Sequence, residues 1–151
     1  MYIVIKLGDF KNTNVFFKRA VKNKVIDDSN FSRIIYSDSM MCTTGLFIKV
    51  PITIQTFERF HNNYKCSFTV QDNEKTIMEL EKIEADILNL INIKGKKVKY
   101  GISNKLRSGV LKFYTNYIEN EVTGQYIVKI SGIWETEKNL GLTYKILHIP
   151  H

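Results

Sequence analysis

Apolar and polar residues alternate in short runs through most of the chain and switch once, over a long stretch, to a helical period. "MYIVIKL" alternates and predicts a strand. "NTNVFFKRAVKNKV" sets Phe16, Phe17, Ala20, Val21 and Lys24 at helical spacing, which predicts a short N-terminal helix. "DDSN" is turn chemistry. "FSRIIYS" and "GLFIKVPITI" read as strands, with Pro51 marking an edge or an end. "TFERFHNN" fits a helical turn. In "YKCSFTV", Tyr64, Cys66, Phe68 and Val70 alternate with Lys65, Ser67 and Thr69, giving a strand with one apolar face.

The longest regular element spans 73 to 92. Ile77, Leu80, Ile83, Ile87, Leu88 and Ile91 form one helical stripe. Asp72 is the candidate N-cap, and Glu74 places a negative charge in the first turn. Glu79, Glu81, Glu84 and Asp86 fall on the other side, so the expectation is a helix docked on a sheet with an acidic outer face.

Residues 93 to 114, "IKGKKVKYGISNKLRSGVLKFY", contain no acid. Strand-like pieces flank Asn104 and Gly109. After the connection "NYIENEVTG" come two strands, "QYIVKISGIW" and "GLTYKILHI". The segment "ETEKNLG" between them suits a hairpin, with Asn139 and Gly141 available for positive φ. Many strands, few long crossovers and no repeat or linker predict a single α+β domain over 1–151. Its expected core is a curled antiparallel sheet or an OB-like β-barrel, carrying one long amphipathic helix and the shorter N-terminal one.

Composition narrows the chemistry. A formal net charge of +7 favours an anionic partner. Two cysteines without a spacing pattern argue against a disulfide framework. The N-terminus reads as neither signal peptide nor membrane span, so an intracellular protein with no membrane partner is expected. Phosphate-binding glycine loops and nucleophile elbows are missing, and His61 and Cys66 do not complete a zinc spacing. Asp27 and Asp28 read as turn residues, and Glu135 and Glu137 as loop charges. No enzyme activity, metal or cofactor is expected.

What the pattern does offer is cations interleaved with aromatics. Single-stranded nucleic acid is held by a cationic groove along the phosphates and by aromatic rings that stack on bases. Lys96, Lys97, Lys99, Lys105, Arg107 and Lys112 supply charge, and Tyr100 and Tyr114 are the favoured stackers. A solvated, lysine-guarded strand edge is the competing reading of this run. The hairpin adds Lys129, Lys145 and Trp134, the one tryptophan. Alternation groups Trp134 with Val128, Ile130 and Gly132, and Lys129 with Ile127, Ser131 and Ile133. On that pattern Trp134 faces the core and organises the site more than it touches bases.

"LEKIEADILNLIN", "KVKYGISNKLRSGVLKFY" and "YIVKISGIWETEKNLGLTYKIL" together resemble a pattern of predicted single-stranded-DNA-binding proteins of nucleocytoplasmic large DNA viruses. The matching positions are Leu106, Gly109, Lys112 and Tyr114, then Lys129, Ser131, Gly132, Trp134, Glu135 and Gly141 through Lys145. The likeness covers roughly residues 80 to 147, and the hairpin is its most specific piece. It implies an OB-like protein that coats single-stranded DNA during viral replication or recombination, in the host cytoplasm or nucleus. The residues themselves leave open a second class, a structural or assembly protein of a virus particle. That protein would self-associate or pack on partners through an exposed edge at "GLFIKVPITI".

Overall fold

The computed structural model describes residues 3–61, 63–91, 94–114 and 125–149; of Phe60 and Tyr114 only the backbone is described. The N-terminal half has strands and two 3-10 turns but no α-helix among the described residues: β1 (Val4–Lys6), β2 (Val15–Phe17), β3 (Val21–Lys22), β4 (Asn30–Ser37), β5 (Cys42–Thr44), β6 (Leu46–Val50), β7 (Thr56–Phe60) and β8 (Asn63–Ser67). Then follow α1 (Glu74–Asn89), β9 (Lys97–Lys99), α2 (Gly101–Arg107), β10 (Val110–Tyr114), β11 (Gln125–Glu135) and β12 (Asn139–Ile149).

These elements make an α+β fold with a curled, mixed sheet that is not closed into a barrel. A nine-stranded sheet follows the path β1-β6-β11-β12-β9, with β2 to β5 attached through β4. The β1–β6 and β9–β12 ladders are parallel and the others antiparallel. Strand β11 is the axis. One edge pairs with β12 along its length, while the other is shared, Tyr126–Ile130 with β6 and Gly132–Glu135 with β4. The change of partner coincides with a β-bulge at Ser131, where the extra residue bends and twists the strand. A smaller sheet, β10-β8-β7, packs beside it.

One apolar cluster joins the layers. The α1 stripe of Ile77, Leu80, Ile83, Ile87 and Leu88 meets Ile48, Val128, Ile130 and Leu142 of the large sheet and Tyr64, Cys66 and Leu111 of the small one. Each such aliphatic side chain removed from water contributes roughly 1.5–3 kcal/mol. Among the described residues no helix is long and apolar enough to cross a membrane.

Several local expectations change. The helix expected from Asn12 reduces to a 3-10 turn, Asn12–Asn14, followed by β2 and β3. Both are held by pairing to β4, where Val15 meets Tyr36 and Val21 meets Phe31. "TFERF" is strand β7, hairpinned to β8 through a turn in which His61 takes φ 54°. "GLFIKVPITI" is not an exposed edge: β6 ends before Pro51 and lies between β1 and β11. Asn73, not Asp72, occupies the N-cap of α1, and its side chain ties the 53 and 69 backbone instead of the helix. Neither Asn139 nor Gly141 has positive φ. The hairpin closes through Thr136, whose N–H donates to the Asn139 carbonyl at 2.8 Å.

Candidate functional site

Opposite residues of a ladder share a face, so the register fixes what each side of the large sheet presents. One side packs under α1. The other carries a row across five strands, Val21, Phe31, Trp134, Gly141 and Lys99. A second row joins Arg33, Gly132 and Thr143. A third runs Val4, Phe47, Lys129 and Lys145, and a fourth Lys6, Lys49, Ile127 and Leu147. Lys97 lies on the same face of β9 as Lys99, one rung further on, opposite Asn139. Among the described residues of these ladders, this outer face holds only cationic charge: Lys6, Arg33, Lys49, Lys97, Lys99, Lys129 and Lys145.

The bulge explains why Trp134 belongs here. An uninterrupted alternation sends it to the core with Val128 and Ile130. The extra residue at Ser131 inverts the phase, so Ile133 enters the core and Gly132 and Trp134 join Lys129 on the outer face. Trp134 is half-buried and outside the core cluster.

Two glycines make room for the rings. A Cβ at position 141 would lie 2.8 Å from Cζ2 and 2.9 Å from Cε2 of Trp134, so the indole occupies the space above β12, beside the Lys99 backbone. A Cβ at 132 would meet Phe31 at 2.8 Å and the carbonyl of Ser32 closer still. Phe31 therefore leans over Gly132, with the Arg33 guanidinium 5.8 Å from its ring centre. Lys129 Nζ lies 5.5 Å from the centre of the Phe47 ring. The result is a pair of half-exposed rings set among cations. Phe31, Arg33, Phe47, Lys6 and Lys49 were not singled out from the sequence, because only the register brings them beside Trp134.

The basic run is divided by the fold. Lys97 and Lys99 are exposed on edge strand β9. Lys96 turns away: its ammonium donates to Glu135 and, at 2.8 Å, to the Thr136 carbonyl, tying the hairpin turn to the segment before β9. Arg107 is likewise a structural cation. It donates to Glu81 at 2.6 and 3.0 Å and to Glu74 at 2.9 and 3.0 Å, clamping α2 to α1. The Arg107 hydrogen bond is the main reason Glu81 stays ionised to lower pH than an ordinary glutamate. Lys96 and Arg107 are thus removed from the phosphate-binding set.

Lys105, Lys112 and Lys145 meet elsewhere, in an open groove of about 630 Å³ between α2, β10 and the second half of β12. Phe113, Tyr144, Ile146 and Leu147 complete its lining. Tyr144 is partly buried and donates to the Gly101 carbonyl at 3.1 Å. Burial, and then the charge of Glu84, hold its phenol above the usual range. Tyr100 stands at the N-cap of α2 and is 41% exposed. The Tyr114 side chain and the connection "NYIENEVTG" lie outside the described residues.

Helix α2 had no signal of its own at its start. Its cap comes from α1: the carboxylate of Glu84, fully buried, accepts from Ile102 N at 2.9 Å, Ser103 N at 2.9 Å and Ser103 Oγ at 2.6 Å. The expected outward-facing Glu84 is therefore an internal anchor, because orphan amides of a helix start attract a carboxylate.

No protein-family model, no curated protein and no solved structure matches the chain.

Proposed function

We propose that this protein binds single-stranded nucleic acid, with single-stranded DNA the expected form, without catalysis and with little regard to sequence, on the outer face of its large sheet. The observation that carries the reading is an outer face whose described ladder residues include no acid and on which Trp134 and Phe31 lie over glycines among Lys97, Lys99, Arg33, Lys129 and Lys145. Phosphates are attracted by the cations, and released counterions supply binding free energy. Bases stack on the rings at roughly 1–3 kcal/mol each, whatever their identity. The likeness of the hairpin to viral single-strand-binding proteins points the same way.

The test is a fluorescence titration with oligo-dT at low and moderate salt. Trp134 is the sole tryptophan, so quenching reports on the site itself. Quenching with an affinity that falls by about 0.7 log unit per log unit of salt for each neutralised phosphate is expected. Affinity that is flat with salt, or binding that leaves Trp134 emission untouched, defeats the reading.

A further inference from the structure

Strand β12 has β11 beside it throughout, but β9 covers its second edge only over Asn139–Gly141. Beyond Gly141 that edge turns toward β10 and α2, and the groove holding Lys105 and Lys112 opens there. Lys145 belongs to both surfaces. It lines the groove and is also the cross-strand partner of Lys129 on the outer face. No carboxylate lines the groove, and no ion pair among the described residues engages Lys105, Lys112 or Lys145. Phe113 and Tyr144 give it an apolar wall that suits sugars and bases between charged rims.

We infer that this groove is a second segment of the binding path, which takes the phosphodiester backbone of a strand already lying across Trp134. The inference rests on the outer-face reading above. The occupant follows from charge and continuity: a polyanion leaving the outer face past Lys129 and Lys145 meets Lys105 and Lys112 next. Lys145 lies four steps along β12 from Gly141, about 13 Å of extended chain. A short oligonucleotide stacked along the Phe31–Trp134 row runs across the strands and leaves the groove empty, and a longer one that turns along β12 past Lys145 occupies both.

The experiment compares oligo-dT of about 4 and about 16 nucleotides, the limits of single-strand sites on one domain. The proteins are the full chain and a Lys105→Gln, Lys112→Gln double variant, with circular dichroism to establish folding. Expected is weaker binding of the long oligonucleotide by the variant, with a salt slope shallower by about 1.4, twice the value per phosphate. The short oligonucleotide and its Trp134 quenching are unchanged, and a Lys105→Arg, Lys112→Arg variant behaves like the parent. Equal affinity and slope for the long oligonucleotide in parent and variant overturn the groove alone. Equal losses for both lengths overturn it as a separate segment. A parent protein that binds neither length overturns the outer-face reading and the groove with it.

Discussion

Gly141 is the residue on which the geometry of Trp134 depends. Its backbone is ordinary strand, so the requirement is space: a methyl group there would sit inside contact distance of the indole and 3.0 Å from the Lys99 carbonyl. Gly141→Ala is expected to lift the ring off β12, shifting Trp134 emission in the free protein. Oligo-dT affinity should fall fivefold or more, about 1 kcal/mol, the lower end of one stacked base. Unchanged emission and affinity would show that the ring is not seated on Gly141. Trp134 and the surrounding lysines were legible as candidates from residue type alone. The face of Trp134 was not, because a single bulged residue reverses every side chain that follows. The glycine in "KISGIW" was the available signal, since glycine inside a strand often marks a bulge.

At the scale of elements, legibility follows how local the determinants are. The α1 stripe is written in consecutive turns, so the helix is plain in the sequence. Helix α2 has only seven residues and is capped by a carboxylate from α1, a determinant that no local window contains. Its end is more readable: Gly109 takes φ 72° and its N–H donates to the Leu106 carbonyl, turning the chain into β10. Strands β2 and β3 are too short to show a period, β7 sets Phe57 and Phe60 at a helical spacing, and all three owe their conformation to β4 and β8. The tertiary cap carries a prediction. Glu84→Ala removes the acceptor of two amides and a hydroxyl at a buried helix start and is expected to cost about 1–3 kcal/mol. Thermal unfolding by circular dichroism reads the loss. An unaltered midpoint would mean that water serves α2 as well as Glu84 does.

Across the whole molecule, charge is sorted by layer. Glu74 and Glu81 of α1 pair with Arg107 at the surface and Glu84 caps α2 from within, while the described ladder residues on the other side of the large sheet include seven cations and no carboxylate. That sorting depends on ladders between residues distant in sequence, such as β1 with β6 and β6 with β11, which alternation within any one segment does not specify. The same long-range packing makes Cys66 a gauge of how the layers hold together. It lies in β8 of the small sheet, wholly buried, with Sγ 3.7 Å from the Tyr126 hydroxyl of the large one. Burial also pushes its thiol above the ordinary range, so little thiolate forms to react. Cys42, by contrast, is exposed. In a Cys42→Ser variant, thiol labelling of Cys66 is therefore expected to keep pace with global unfolding followed by Trp134 fluorescence, because a reagent reaches Sγ only when the two sheets part. Labelling much faster than unfolding would mean that β7, β8 and β10 open as a unit of their own. The groove beside β10 would then be one wall of a moving element.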